Sequence, residues 1–233
     1  MLVLLVLLAS FIPSILMFFF LRKNREDMEY RKYCGKVLWN GVLCAALVTL
    51  ACAVLQLGWN LLGIGEKSKL LNGLFNAFVL AAGVEESVKF FTAKKALKEI
   101  PALTRLDVIS ITAITAMGFG LIEDVVYTMQ SNIPQILIRG VLMAHVSYGL
   151  FMGLVYSKGL QKKSIGLKAL GLLLPILFHG LYNFSLDEGL PELFSYIAVC
   201  SALVSTVFLV VMIFFIRKKR KDPEFTTPLY EEM

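Results

Sequence analysis

Apolar stretches long enough to cross a lipid bilayer recur seven times along the chain, and short polar connections separate them. A helix needs about 20 apolar residues to span the hydrocarbon core, at about 1.5 Å of rise per residue. The pattern therefore predicts an all-α polytopic bundle of about seven transmembrane helices. The predicted spans are 2–21, 39–62, 70–92, 107–129, 134–157, 168–186 and 192–216.

The connections between these spans are too short to hold a separate folded domain, so residues 1–221 are predicted to form a single transmembrane bundle. Residues 222–233 are polar and contain proline, which predicts a flexible cytosolic tail. Composition supports the membrane assignment, because 58% of the 233 residues are hydrophobic and the mean hydropathy is +0.74. Soluble domains are about 45–50% apolar. A soluble globular fold is therefore excluded.

The 23 Lys and Arg residues lie mainly in alternate connections, at 22–36, 94–105, 158–168 and 217–221. Cytoplasmic loops of membrane proteins carry such an excess of positive charge. The charge pattern therefore predicts an N-terminus outside the cell and a C-terminus in the cytosol. The net charge of +6 then reflects topology and attraction to anionic lipid headgroups, and no nucleic-acid partner is expected.

The third to sixth predicted spans differ from the others because each carries polar side chains that can do chemistry. Placing one charge at the centre of a bilayer costs about 2.5–3.5 kcal/mol, so such residues usually face a bundle interior and mark a functional site. The residues concerned are Glu85, Glu86 and Lys89 in the third span, Glu123 and Asp124 in the fourth, His145 in the fifth, and His179 and Asn183 in the sixth. They predict a polar core within residues 70–186.

Helical spacing predicts which of these side chains can pair within one helix. Lys89 lies four residues after Glu85 and three after Glu86, so its ammonium can reach either carboxylate. One glutamate would be neutralised by the lysine and the other left for chemistry, and the spacing does not decide between them. His179 and Asn183 stack at i and i+4, so the Asn183 amide can orient the imidazole or donate to a developing oxyanion.

Two histidines and one glutamate form a ligand set that catalytic zinc sites use, with a fourth position left open. We predict His145, His179 and Glu123 as ligands of a Zn²⁺ ion, with Glu85 or Glu86 as the general base that acts on water. No HExxH motif is present, so the site must assemble from separate helices. Glu85 is expected near the cytosolic end of its span and Glu123 nearer the outer end of its own. Helix tilt, a re-entrant opening or a shifted boundary must therefore bring them together.

Each polar element also has a structural explanation when it is taken singly. An intramembrane histidine can serve only to hydrogen-bond across helices, and the Glu85–Lys89 pair can be a structural ion pair. Asp124 can simply be hydrated near the end of its span. Four polar elements on four consecutive helices, including the only two histidines of the chain, favour one shared site instead.

The ordered set of motifs resembles the PrsW family of intramembrane proteases. It consists of EExxK at Glu85–Lys89, FxxxE at Phe119–Glu123 and histidines in two later spans. In the wider group, which includes the CAAX prenyl endopeptidases and Abi proteins, the first motif is usually EExxxR and the second ends in histidine. The resemblance is therefore to PrsW, while HxxxN at His179–Asn183 looks like the last motif of the wider group.

The resemblance implies an intramembrane endopeptidase of a bacterial plasma membrane, whose substrate is a membrane-anchored protein. Relatives make the first cut in a single-span anti-sigma factor, and family members are classed as metallopeptidases. Two other functions would suit the same residues. One is a proton- or cation-coupled transporter, although the chain shows no inverted repeat. The other is a non-catalytic scaffold that binds a partner helix.

Overall fold

The computed structural model describes residues 2–63, 65, 68–128, 132–186 and 193–229, and these are almost entirely helical. The helices are α1 (Leu2–Ser10), α2 (Ile12–Leu21), α3 (Met28–Leu62), α4 (Lys69–Leu74), α5 (Glu85–Leu97), α6 (Arg105–Thr128), α7 (Ile133–Leu142), α8 (Ala144–Gln161), α9 (Ile165–Ser185), α10 (Leu193–Lys219) and α11 (Pro223–Thr226). A π-helix, Phe75–Val84, joins α4 to α5. The predicted all-α polytopic bundle is confirmed.

Six helical segments in the described residues are long and apolar enough to cross a membrane. They are Leu4–Asn24, Met28–Leu62, Arg105–Thr128, Ile133–Gln161, Ile165–Ser185 and Tyr196–Lys219. Each corresponds to one of the seven predicted spans. The other predicted span, 70–92, lies in an unbroken helical run over residues 69–97, of which the π-helix forms the middle. The count of seven crossings and their orientation stay predictions.

The fifth predicted span is not one continuous helix. It is broken at Met143, which has the left-handed φ of 43° and separates α7 from α8. A non-glycine residue adopts this conformation only when the surrounding structure supports it. Neither glycine nor proline stands at the break itself, so nothing local in the sequence predicted it. The break places His145 in the first turn of α8.

Helix α6 forms the centre of the bundle, and its residues 105–120 are all buried. Small residues allow transmembrane helices to approach closely. Gly118 of α6 faces α3, where an added Cβ would overlap the backbone carbonyl of Leu38. Helix α8 contacts α6 at Gly149, where an added Cβ would come within 2.8 Å of the Thr112 carbonyl oxygen. These contacts hold α3 and α8 tightly against α6.

Adding one methyl group at Gly118 is therefore expected to destabilise the bundle. In Gly118→Ala the new Cβ has no room against the α3 backbone, and overpacking of this kind costs about 1–3 kcal/mol. Gly35→Ala is the matched control, because nothing lies within 4 Å of its added Cβ and alanine is the better helix former. Unfolding in mixed detergent micelles should show a loss of stability for the first variant only. Equal stability of the two variants would contradict the close packing of α3 and α6.

The four basic connections meet at one end of the bundle, as alternate crossings require. The contacts that join them are Arg25 with Asp107, Arg220 with Asn24, and Arg105 with Gln161. Side chains that follow the first, third, fifth and seventh predicted spans therefore share one face. The charge pattern predicts that this face lies in the cytosol.

Residues 222–229, within the predicted tail, contact the rest of the chain, and the flexibility of residues 222–233 stays a prediction. The carboxylate of Asp222 caps α11, and Glu224 pairs with Arg105 at 2.6 Å. Phe225 is buried beneath the same guanidinium, which lies 4.0 Å from its ring centroid. One buried aromatic ring and one ion pair therefore join this segment to α6. The last four residues of the chain lie outside the described residues.

Candidate functional site

The charged side chains of the EExxK motif lie at the start of α5, directly after the π-helix. A π-helix is rare and often occurs at functional sites. Helix α9 packs closely against this π-helix, as a Cβ added at Gly180 of α9 would overlap the ring of Phe78. The absence of a side chain at Gly180 therefore allows α9 to bring its neighbour His179 to the motif on α5.

Lys89 lies at the centre of the network, with 1% of its side chain exposed. Its Nζ is 2.7 Å from Glu86 Oε1 and 3.4 Å from Glu85 Oε2. The same ammonium is 3.1 Å from His145 Nδ1. It also lies 4.3 Å from the ring centroid of Phe119, a cation–π distance. One buried cation thus contacts both glutamates and an imidazole from another helix.

His145 is held through both of its ring nitrogens. The backbone of α6 leaves space for the ring at Gly120, where an added Cβ would lie 3.1 Å from the imidazole Cδ2. An ammonium can only donate, so Nδ1 accepts from Lys89 and the Nε2–H donates to Glu123 Oε2. Lys89 and Glu123 therefore lie on opposite edges of the same ring and together determine its tautomer.

His179 is buried and is fixed by a carboxylate and an aromatic ring. Its Nδ1 donates to Glu86 Oε1 at 2.9 Å, and its ring stacks on Tyr148 with centroids 5.1 Å apart. Glu86 is fully buried, and its second oxygen, Oε2, has no hydrogen-bond partner in the described part of the chain. Leaving such an acceptor unsatisfied costs about 1–3 kcal/mol, which points to a missing partner.

The two acids of α6 pair with an arginine from α7. Arg139 Nη2 is 3.1 Å from Glu123 Oε2, and its Nε is 3.1 Å from Asp124 Oδ1. Arg139 was not among the predicted site residues, although an arginine inside an apolar span needs a partner and was the signal for it. Tyr148 was also missed. Nothing in its sequence context distinguishes it from an ordinary core tyrosine.

A cavity of about 160 Å³ opens beside this network. Its polar lining includes Glu123, Asp124, Tyr127, Arg139, His145, Tyr148, His179, Tyr182 and Asn183. Asn183 lies one helical turn beyond His179 and lines the same space. A carbonyl group in this cavity would therefore meet an amide donor and an imidazole. The two motif glutamates are not among the residues that line the cavity; they lie behind His145 and His179, where Glu85 keeps 11% side-chain exposure and Glu86 none.

Four residues offer donor atoms close enough to hold a metal ion. One atom each from Glu85, Glu86, His145 and His179 lies within 4.8 Å of the other three. Imidazole nitrogen and carboxylate oxygen are ligands that zinc accepts. The unsatisfied oxygen of Glu86 and the excess of carboxylates over side-chain cations in the network also suit a divalent cation. The residues present therefore fit a metal site.

This group differs from the predicted ligand set of His145, His179 and Glu123. Glu85 and Glu86 take the place of Glu123, which lies on the far edge of the His145 ring. Glu85 and Glu123 were expected at different depths in the membrane, and the side chains between them connect the two. Contacts run without interruption from Glu86 through Lys89 and His145 to Glu123. The three predicted ligands, both motif glutamates and Lys89 thus form one network, and Asn183 lines the adjoining cavity.

Comparison with known proteins gives one family and one curated relative. Residues 34–216 match a family described as PrsW family intramembrane metalloprotease. The chain is also similar to a protein named Protease PrsW from Clostridioides difficile (strain 630), with 33% identity over 124 residues. That alignment covers 48% of this chain and 52% of the relative, so the chain spans about half the length of the curated relative it matches. No solved structure matches the chain.

Proposed function

The chain belongs to the PrsW family of intramembrane metalloproteases, and we propose that it hydrolyses a peptide bond in a membrane-anchored protein. The observation that carries the proposal is the largely buried group of Glu85, Glu86, His145 and His179 in a multi-pass helical bundle, with the two histidines of the group lining a cavity. Carboxylates and imidazoles are the side chains that most often activate water for hydrolysis. A purely structural ion-pair network requires neither an adjacent cavity nor an unsatisfied carboxylate oxygen.

Glu85 is the general base in this proposal. Glu86 is less able to accept a proton from water, because its Oε1 already accepts hydrogen bonds from both Lys89 and His179. Among the described residues, Glu85 has one hydrogen-bonding partner, Lys89, at a longer distance, and it keeps some exposure. It takes a proton from water as the water oxygen attacks the carbonyl carbon. The same proton then passes to the amine nitrogen as the carbon–nitrogen bond breaks.

The walls of the cavity stabilise the charge that develops on the carbonyl oxygen. The side-chain amide of Asn183 donates a hydrogen bond to this oxygen, and His179 lies one turn away on the same helix face. Tyr148 and Glu86 hold the His179 ring in place. Such donors are effective because they are oriented before the reaction begins.

His145, His179 and Glu86 would hold a Zn²⁺ ion in this site. When bound, the ion would polarise the scissile carbonyl group and make the attacking water more acidic. Glu123 is then an orienting partner rather than a ligand, because it accepts the Nε2–H of His145. Metal-ligating histidines almost always donate their second N–H to such a group.

The proposed substrate is a single-span anti-sigma factor or a similar regulator in a bacterial plasma membrane. The cavity lies among membrane-crossing helices, so the bond that it receives belongs to a transmembrane or juxtamembrane segment. The similar protein from Clostridioides difficile is named as a protease, which supports peptide-bond cleavage but does not identify a substrate.

The proposal is tested by cleavage in liposomes. The purified chain is reconstituted with tagged single-span regulators, and mass spectrometry locates any new terminus. We expect cleavage in or beside the span by the wild type, none by the double variant Glu85→Ala/Glu86→Ala, and normal cleavage by Glu99→Gln, which changes an exposed connection. Equal cleavage by the double variant would overturn the assignment. Ion flux without any substrate would support the transporter instead.

A further inference from the structure

The ammonium of Lys89 lies among the donor atoms that a metal ion would need. Three of the four metal-capable residues, Glu85, Glu86 and His145, contact its Nζ at 3.4, 2.7 and 3.1 Å. The fourth, His179, shares Glu86 Oε1 with it. A side chain that is 1% exposed can remain charged here only because these donors surround it.

His145 has one ring nitrogen free to bind a cation, so Lys89 and a metal ion would compete for it. A neutral imidazole carries one N–H and one lone pair. The N–H of His145 is on Nε2 and is donated to Glu123, so the lone pair on Nδ1 is the ring's only acceptor. That lone pair already accepts from Lys89. It cannot serve the ammonium and a metal ion at the same time.

We propose that Lys89 is the resident cation of this site and that the site holds one cation at a time. Without metal, the Lys89 ammonium keeps the carboxylates and the His145 ring together. A metal ion gains His145 as a ligand only when Lys89 withdraws from Nδ1. The inference concerns cation binding, so it holds or fails independently of peptide cleavage and of which glutamate acts as the base.

Lysine suits this role better than arginine would. Its ammonium is compact and sits on a flexible four-carbon stem, so it can leave without moving the helix backbone. The face of Phe119 lies 4.3 Å away and offers the departing charge a favourable contact. A planar guanidinium at the same position would make several fixed hydrogen bonds and release them less readily.

Metal affinity measures this competition directly. Chelator-treated protein in detergent is titrated with Co²⁺, and binding is followed by visible absorption and by metal analysis. Lys89→Met should bind at least about tenfold more tightly than the wild type, which corresponds to about 1.4 kcal/mol. Lys89→Arg should bind no better than the wild type. Lys36→Met removes an exposed lysine that pairs with Glu99 and should leave the affinity unchanged.

Thermal unfolding supplies a second readout. A chelator should leave the wild type unaffected but destabilise Lys89→Met, because that variant has lost its internal cation. If Lys89→Met does not accumulate, the charge-balanced Glu85→Gln/Lys89→Met retains Glu86, His145 and His179 and should still exceed the wild type in Co²⁺ affinity. Co²⁺ affinity in the Lys89→Met variants no higher than in the wild type, or binding in none of them, would overturn the proposal.

Discussion

Glu85→Gln is expected to reduce peptide cleavage by about 10²–10⁴-fold, the usual contribution of a general base. Glutamine keeps the size of the side chain but cannot accept a proton from water. The fold should tolerate the change, because Glu85 makes one contact of 3.4 Å to Lys89 and Glu86 keeps the closer contact of 2.7 Å. We expect the free energy of unfolding to fall by about 1 kcal/mol or less.

The measurement is the initial rate of fragment release in liposomes, with unfolding followed in the same preparations. Glu99→Gln is the matched control, because it makes the same chemical change in an exposed connection. A fully active Glu85→Gln variant would exclude this residue as the base. If Glu86→Gln then lost activity without losing stability, Glu86 would be the general base and Glu85 would be the partner of Lys89.

Glu86→Ala is expected to lower both stability and activity. It leaves Lys89 with only the long contact to Glu85 among its carboxylate partners, and it removes the acceptor for the Nδ1–H of His179. Removing one partner of a buried ion pair costs about 3–5 kcal/mol, because the other charge remains buried without compensation. The His179 ring also loses the group that orients it.

The stability loss should be partly reversed in the double variant Glu86→Ala/Lys89→Met, since no uncompensated ammonium then remains. Cleavage should stay absent in both variants, because neither restores the carboxylate that holds His179. Unfolding in mixed detergent micelles and the liposome assay measure the two effects separately. A double variant as unstable as the single one would show that the Lys89–Glu86 pair is not the source of the loss.

Much of the fold could be predicted from the apolar pattern. The length and hydropathy of each stretch determine whether it can cross a bilayer, and this property is local. The break at Met143 and the π-helix before Glu85 could not be predicted, because both depend on packing against other helices. The contact of Phe225 with Arg105 likewise joins segments that are far apart in the sequence.

Several members of the candidate site can also be picked out in the sequence. Charged residues in apolar spans are costly whatever their surroundings, so Glu85, Glu86, Lys89 and Glu123 stood out at once. The same cost applies to Arg139, which the acids of α6 neutralise. The individual roles of these residues were harder to assign, since spacing along one helix says nothing about which atom of another helix lies opposite.

Residue types and their periodicity were enough to identify the buried polar side chains and to show that they require partners, since the cost of burying charge depends on chemistry alone. The pairings came from the packed bundle: Lys89 against Nδ1 of His145, Glu123 against Nε2, and Glu86 against His179. These pairings depend on the break at Met143 and on close helix contacts at Gly120 and Gly180. Such contacts between distant segments exist only once the chain is folded.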